Sequence, residues 1–282
     1  MTNRRQPPRW WAELLLLGLV YGAYSGGRLL ARGDAGLAVE HGLAILRAEE
    51  LLRIDFERPL NRLFTHHGSL GIPADFIYAS LHYLVTPAVL VWLYRRHPRH
   101  YRPARTWLML STLLGLVGFT LLPTCPPRLL DTSYGFVDTM ARFSDYGWWG
   151  AEASAPRGLG SFTNQFAAMP SLHVGWALWC GVMLWRYGRH PLARALGVVY
   201  PTTTALVVMG TANHYFLDAA AGVAVMGVGH LAARALTARA GGFRGKSTIV
   251  SGGWDTSAGE LLPAQRPAAQ NAADDDASAA AR

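Results

Sequence analysis

The stretch 167-AAMPSLHVGWALW-179 places a proline, a serine and a histidine directly before a run of apolar residues. Pro170, Ser171 and His173 therefore stand at the start of a segment that is apolar enough to enter a bilayer. Polar and ionisable groups are expensive to place in a membrane, and those found there usually serve a function. The fold and the chemistry depend on how many such segments exist and on which polar groups face this one.

Apolar residues make up 51% of the 282 residues and are collected into long runs. Six runs approach the roughly 20 residues that a helix needs to cross about 30 Å of hydrocarbon. The first run also resembles a cleaved secretory signal, but Glu13 early in it and the five later runs favour a retained helix. We predict an all-α polytopic membrane protein with six transmembrane helices, at residues 10–31, 72–94, 106–123, 171–187, 195–212 and 214–236.

The arginines are concentrated in alternate connections. Residues 94–105 carry five arginines and no acid, residues 186–194 carry three, and residues 28–62 balance six arginines with six acids. Basic loops stay in the cytoplasm. We therefore predict a multi-pass protein of the plasma membrane with both termini inside and the other loops outside. The same rule accounts for most of the net charge of +8, so no nucleic-acid partner is expected.

The regions outside the spans divide the chain further. Residues 1–9 are predicted to be a cytoplasmic tail, and residues 10–236 form the membrane domain. Within that domain, charges alternate with leucines and aromatics over residues 35–64, which predicts an interfacial helix on the outer surface. Residues 126–168 form a long external loop. Residues 237–282, rich in Ala, Gly and Asp, are predicted to be a disordered cytoplasmic tail.

The external loop is rich in aromatic residues. These residues could serve as a lid or lipid-chain platform, or the loop could rest on the membrane surface, and the sequence leaves both interpretations open. The aromatic residues concerned are Tyr134, Phe143, Tyr146, Trp148 and Trp149.

Three polar clusters are predicted to meet at the outer face: the one before the fourth span, one around Arg128 after the third, and one at 213-NHYFLD-218. His214 and Asp218 are four residues apart, so they touch if both lie on a helix. A carboxylate that holds one imidazole nitrogen leaves the other as a nucleophile or base. One such pair is explained by structure alone, but a second histidine and an arginine at the same face favour chemistry.

The other polar groups suit an anion. Pro170 in a first helical turn leaves the backbone N–H groups of Ser171 to His173 free to bind it. Arg128 would add charge-assisted hydrogen bonds to phosphate oxygens. His82, further inside the second span, is expected to pack against the site, with no assigned role. The pattern indicates phosphoryl transfer. No carboxylate or cysteine cluster suits a metal, and no cofactor is expected.

The motifs MPSLHVGWALW and NHYFLDAAAG, together with PPRLL, resemble the type 2 phosphatidic acid phosphatase (PAP2) superfamily, specifically its inositol-phosphotransferase-like branch. The resemblance covers residues 40–230. It implies a PAP2-like bundle of six helices that acts without a metal. It also implies that His214 attacks phosphorus and becomes a phosphohistidine, and that Asp218 orients His214. By the same resemblance, His173 is implied to be the general acid, and Ser171 is implied to help hold the phosphoryl oxygens.

The chain departs from the broader superfamily pattern in its cations. The first motif there carries a lysine, whereas the only lysine here is Lys246 near the carboxyl terminus. The pattern also places an arginine six residues before the nucleophile, where this chain has Val208. Arg128 is the expected substitute for the missing lysine. With fewer cations to hold the phosphate, the substrate stays open.

We therefore expect an enzyme that acts on a lipid phosphate or diphosphate at the outer face of the membrane, with membrane lipids as its other partners. Hydrolysis and transfer to another alcohol differ only in the acceptor, so a phospholipid head-group transferase of the inositol-phosphate type is an alternative. An intramembrane serine hydrolase using Ser171, His214 and Asp218 is a second. The sequence does not contain the Gly-x-Ser-x-Gly elbow that such hydrolases use, because Met169 and His173 stand where its glycines would be. A transporter that relays protons would carry its polar residues deeper within the spans. The oligomeric state is left open.

Overall fold

The computed structural model describes residues 9–30, 34–150, 153–156 and 164–246. These residues are mostly helical, with one short antiparallel hairpin formed by β1 (Trp149–Gly150) and β2 (Ala153–Pro156). The helices, numbered in chain order, are α1 Trp10–Leu30, α2 Ala35–Leu52, α3 Glu57–His66, α4 Gly68–Phe76, α5 His82–Arg96, α6 Pro98–Leu121, α7 Thr139–Arg142, α8 Leu172–Tyr187, α9 Pro191–Gly210 and α10 Phe216–Lys246.

Each of the six predicted spans contains one of these helices, and α4, a π-helical segment at Ile77–Leu81 and α5 together form the second. Within the part of the chain that the structure describes, four helical stretches are long and apolar enough to cross a membrane: Gly68–Arg96, Pro98–Leu121, Pro191–Gly210 and Phe216–Ala238. α1 is not among them, and α8 has only 16 residues. The all-α polytopic fold is confirmed, whereas the number of six spans stays a prediction.

The predicted tails lie largely outside the described residues. The structure does not describe residues 1–8 or 247–282. The chain divides into two compact units, Met1–Gly241 and Gly242–Arg282, and of the second unit only the end of α10 is described. Because α10 continues to Lys246, the predicted start of a disordered tail at residue 237 is wrong.

Helix α8 forms the core of the first unit and packs against α5, α6 and α9. Ala177, Trp179 and Cys180 on it are fully buried. The indole Nε1 of Trp179 donates a hydrogen bond to the carbonyl oxygen of Ala104 in α6, at 3.0 Å. A helix that is apolar on all sides is typical of such a central position. The start of α8, which carries Ser171 and His173, is therefore held by neighbours on several sides.

An ion pair joins α1 to α6. Glu13 is buried, pairs with Arg105 and also accepts a hydrogen bond from the hydroxyl of Tyr101 at 3.1 Å. A buried carboxylate without a partner would be strongly destabilising. The pair explains how an acidic residue is accommodated early in the first predicted span.

The predicted interfacial helix at residues 35–64 is two helices in the structure. α2 ends at Arg53, whose φ of 57° is left-handed, and α3 starts at Glu57. The charged pattern was interpreted as a surface helix, but Glu49, Glu57 and Asn61 are buried. The prediction of a single helix is therefore wrong. Buried polar contacts turn parts of both helices toward the protein interior, and the alternation of charged and apolar residues in the sequence does not reveal these contacts.

Between α6 and α8, the described part of the predicted external loop contains short helical turns, α7 and the β-hairpin. Trp149 is fully buried there, and its Nε1 donates a hydrogen bond to the carbonyl oxygen of Met140 at 2.9 Å. Trp149 therefore belongs to the core and is not a lid residue. Tyr134, Tyr146 and Trp148 are exposed, which leaves both interpretations of the loop open for them.

The starts of α8 and α10 approach closely at Gly222. A Cβ atom there would lie 2.2 Å from the carbonyl oxygen of Ser171. Helices in membranes often pack through such small residues, which let the backbones come together. By contrast, Gly227, one and a half turns further along α10, has nothing within 4 Å of such a Cβ.

We predict that Gly222→Ala lowers the free energy of unfolding by about 1–3 kcal/mol, because α10 has to move away from a backbone atom that cannot yield. Gly227→Ala is the matched control and should stabilise α10 by up to about 1 kcal/mol through helix propensity. Thermal unfolding of the detergent-purified variants measures both. Equal stability of the two variants would contradict the close contact.

Candidate active site

The most buried part of the site is the pair formed by His214 and Asp218, which are 3% and 0% exposed. His214 Nδ1 lies 3.4 Å from Asp218 Oδ2. The two side chains touch as expected, but not because both lie on a helix: α10 begins at Phe216, two residues after His214. Asp218 instead turns back toward the start of its own helix, where Oδ2 accepts the N–H of Tyr215 at 2.9 Å. Carboxylates are favourable at this end of a helix.

The His214–Asp218 contact is an ion-pair distance without hydrogen-bond geometry. Asp218 Oδ1 and His214 Nδ1 have no hydrogen-bond partner among the described residues. Such contacts in active sites commonly tighten only when substrate is bound. With Nδ1 turned toward the carboxylate, Nε2 is the ring nitrogen left to react.

His173 brings a second imidazole to the same place. It is the second residue of α8, and its ring centroid lies 5.7 Å from that of His214. Its ring stacks on Tyr78 at 4.6 Å and meets the edge of His82 at 4.5 Å. Tyr78 lies within the π-helical segment and His82 directly follows it; a π-helix is a wider turn that is frequent at functional sites. The expectation that His82 packs against the site is confirmed.

Ser171 links the two helices that carry these histidines. It is the N-cap of α8, where its Oγ accepts the N–H of Val174 at 3.5 Å. Its own N–H donates to the carbonyl oxygen of Asp218 at 2.9 Å. The expectation that the backbone N–H groups of Ser171 to His173 are all free is therefore wrong, because the N–H of Ser171 is used to join α8 to α10.

Arg128 approaches from the turn after α6 and is also buried, with 4% of its side chain exposed. Its backbone N–H donates a hydrogen bond to the carbonyl oxygen of Ala212 at 2.8 Å. In its side chain, Nε donates to Asn213 Oδ1 at 2.9 Å and Nη1 donates to Asp138 Oδ2 at 2.8 Å. A guanidinium has five N–H donors, so these contacts leave donors for an anion. Through Asn213, Arg128 is attached to the residue that precedes His214.

The link between α9 and α10 holds His214 rigidly. The N–H groups of Asn213 and His214 both donate to the carbonyl oxygen of Val208, each at 3.0 Å. Ala212 has a φ of 55°, a left-handed conformation that is strained for a residue with a Cβ and that recurs at functional sites. Val208, where the broader superfamily pattern has an arginine, is buried and supplies this carbonyl instead of a cation.

A cleft opens beside His173 between the π-helical segment and α9. It is narrow, with room for about one water molecule, and its walls are mainly apolar. Its lining residues are Ile77, Tyr78, Leu81, His82, His173, Tyr200, Thr204, Val207 and Val208. Among the described residues, no group of three or more His, Cys, Asp and Glu side chains is arranged to hold a metal ion.

Asn61 and Asp138 belong to the site and were missed by the sequence reasoning. Asn61 is fully buried on α3 and accepts the N–H of Val137 at 2.9 Å. Its Nδ2 donates to the carbonyl oxygens of Val137, at 2.9 Å, and Gly210, at 3.0 Å. Asn61 thus joins the segment that carries Asp138 to the end of α9. One asparagine in a charged stretch carries no signal, because the partners are 76 and 149 residues away.

All five residues singled out in the sequence are thus brought into one connected group: Arg128, Ser171, His173, His214 and Asp218. Residues 43–232, more than half of the chain and a range that includes all five, match a family model described as PAP2 superfamily. No curated protein and no solved structure matches the chain.

We predict that Asn61→Ala lowers the free energy of unfolding by about 3 kcal/mol, because it leaves the buried carbonyl oxygen of Gly210 and the part-buried N–H and carbonyl oxygen of Val137 without their Asn61 partner. Activity should fall with it, since both segments beside His214 lose their support. Arg62→Ala, at the neighbouring exposed position, is the control and should change stability by less than about 0.5 kcal/mol. Thermal unfolding decides, and an Asn61→Ala protein as stable as the control would refute the role.

Proposed function

The chain belongs to the PAP2 superfamily, and from this we propose that it is a lipid phosphate phosphatase or phosphotransferase that works through a phosphohistidine on His214. It is a membrane protein from a superfamily of phosphatases and phosphotransferases. The observation that carries the proposal is the group of two close imidazoles, His214 and His173, with the buried carboxylate of Asp218 behind one of them.

In the first step, Nε2 of His214 attacks phosphorus and the bond from phosphorus to the ester oxygen breaks. His173 gives its proton to the departing oxygen, and Asp218 stabilises the positive charge that develops on the His214 ring. In the second step, water or an alcohol attacks the phosphohistidine, and His173 takes the proton from it. The N–P bond then breaks, which restores His214. No electron transfer is involved, and the protons balance over the two steps.

Arg128 and Ser171 are proposed to bind the phosphoryl oxygens. Arg128 is held by Asn213 and Asp138, so its orientation is set before the substrate arrives. A charge-assisted hydrogen bond from a buried guanidinium is among the stronger polar contacts available to a phosphate. Asp138 offsets part of the charge of Arg128.

The lipid chains of the substrate are proposed to stay in the bilayer while the phosphate head reaches Arg128, Ser171 and His214. Whether the enzyme hydrolyses the phosphohistidine or transfers the group to another alcohol depends only on the acceptor. A head-group transferase of the inositol-phosphate type therefore uses the same first step. Product analysis with and without an added polyol separates the two.

The serine hydrolase alternative is not favoured by the geometry. The Oγ of Ser171 accepts the N–H of Val174 as an N-cap, and the backbone of Ser171 is engaged with Asp218. These contacts support a binding and structural role for this serine.

We predict that His214→Ala abolishes turnover and that Asp218→Asn lowers kcat by about 100-fold or more, because the amide cannot stabilise an imidazolium. His67→Ala changes an exposed histidine in the link between α3 and α4 and should retain normal turnover. The measurement is brief incubation with a radiolabelled lipid phosphate, which should leave acid-labile, base-stable label on the wild-type protein.

The contradicting results are distinct. More than a tenth of wild-type activity in His214→Ala would refute this nucleophile. A normal rate in Asp218→Asn would make the buried pair structural. Label on Ser171 would revive the serine mechanism.

We also propose that the site faces the outside of the plasma membrane, with both termini in the cytoplasm. His173 and Arg186 lie near opposite ends of α8, about 20 Å apart at 1.5 Å per residue. The arginine-rich connections at residues 94–105 and 186–194 therefore lie at the end of the bundle away from the histidines. Basic connections are retained in the cytoplasm, so the histidines are expected outside.

We predict that Ser133→Cys reacts with a membrane-impermeant maleimide on intact cells and that Arg99→Cys reacts only after permeabilisation. Both positions are exposed. The native cysteines, Cys125 and Cys180, are buried. Burial raises the pKa of Cys125 to about 11, so its thiol stays unreactive. The reverse labelling pattern would place the site in the cytoplasm without affecting the assignment of His214.

A further inference from the structure

Two carboxylic acids that the proposed mechanism does not use are buried directly behind the site. Glu49 on α2 and Glu57 on α3 are both 0% exposed. A buried carboxyl group is costly unless it is hydrogen-bonded and either neutral or paired. Their contacts therefore indicate what this position requires.

Glu49 reaches the first turn of α10. Its Oε1 accepts the N–H of Leu217 at 2.6 Å, and the next residue in the chain is Asp218. The N–H groups in the first turn of a helix have no partner within the helix. Asp218 takes the N–H of Tyr215 and Glu49 takes that of Leu217. The two carboxyl groups thus hold the same turn from two sides.

Glu57 lies beside Glu49, and each of the two carboxyl groups affects the pKa of the other. Glu49 Oε2 and both carboxyl oxygens of Glu57 have no hydrogen-bond partner among the described residues. Arg58, the cation beside Glu57, pairs with Glu50 and Asp55 instead. Two buried carboxyl groups side by side without a donor or a paired cation are accommodated at the lowest cost when one of them binds a proton.

The electrostatic surroundings of Glu49 and Glu57 also favour a bound proton. Burial, with the neighbouring carboxyl group of Glu57 and the charge of Asp218, raises the pKa of Glu49 to about 9. Burial also raises the pKa of Glu57. The groups that face the pair are Tyr215 and Asp218 from the start of α10 and Asp55 and Arg58 beside α3. Only Arg58 among them is cationic.

We propose that Glu49 is a positioning residue of the site: as a neutral acid it accepts the N–H of Leu217, adds no second negative charge beside Glu57, and so fixes the turn that presents Asp218 to His214. This inference rests on the proposed function of the His214–Asp218 pair. The proton stays on Glu49 during turnover. Its role is to leave Asp218 as the one carboxylate whose negative charge serves His214, because an ionised Glu49 would repel Asp218 across the same turn.

Substitutions of Glu49 test the role of the proton. Glu49→Gln keeps the hydrogen bond from Leu217 without a charge, since the neutral amide still offers an oxygen to that N–H. It should retain kcat at pH 7 within about threefold. Glu49→Ala loses this hydrogen bond, and a displaced carboxylate at Asp218 should lower kcat about 10- to 100-fold with little change in KM. Glu40→Ala, exposed on the same helix, is the matched control and should behave as wild type.

The pH profile distinguishes positioning from simple structural support. The wild-type kcat should fall as pH rises through about 9, when Glu49 ionises, and Glu49→Gln should lack this fall. Stability should follow the same sign. At a pH between 4.5, the ordinary pKa of a glutamate, and about 9, Glu49 is protonated in the folded protein and ionised in the unfolded chain. Glu49 therefore makes the free energy of unfolding of the wild type fall as the pH rises through this range. Glu49→Gln should remove that dependence.

A spectroscopic readout is independent of catalysis. The infrared carbonyl band of protonated carboxyl groups at pH 7 should lose intensity in Glu49→Gln and not in Glu40→Gln. Unchanged intensity, or a Glu49→Gln enzyme as impaired as Glu49→Ala, would overturn the inference. If Glu49→Ala does not fold, the glutamine variant and the infrared band still decide. A wild-type protein without activity on any lipid phosphate would defeat the proposed function and leave the infrared result standing by itself.

Discussion

The arrangement of the site depends on the contact between the start of α8 and the start of α10. The N–H of Ser171 donates to the carbonyl oxygen of Asp218, and Gly222 lets the two backbones approach closely enough for this bond. His173 is attached to one of these helices and Asp218 to the other, while His214 lies in the link just before α10. A shift of α10 away from α8 would therefore separate the proposed general acid, His173, from the proposed nucleophile, His214.

Buried charge is the second constraint, and the protein meets it in three different ways. Glu13 and Arg105 form an ion pair, Arg128 is shared between Asp138 and a neutral amide, and Glu49 keeps a proton. Each arrangement avoids an isolated charge where water cannot solvate it. Asp218 keeps one oxygen that has no hydrogen-bond partner among the described residues. That spare capacity is available to an imidazolium on His214.

The cations of the site also differ from those that the broader superfamily pattern leads one to expect. Val208 is buried and contributes only its carbonyl oxygen, which orients the backbone of His214. Arg128 therefore carries the positive charge from a turn far away in sequence, and Asn61 and Asp138 hold that turn in place.

The sequence by itself determined the helical membrane fold, the positions of the apolar helices and the set Arg128, Ser171, His173, His214 and Asp218, because hydrophobic runs and short motifs are local properties of the chain. The roles of those residues stay proposals. Only the tertiary structure decided that residues 35–64 break into two helices, that His214 precedes α10, and that Asn61, Glu49 and Glu57 support the site. These facts depend on hydrogen bonds between segments that are far apart in sequence, and no local pattern records which buried donor a carboxyl or amide will reach.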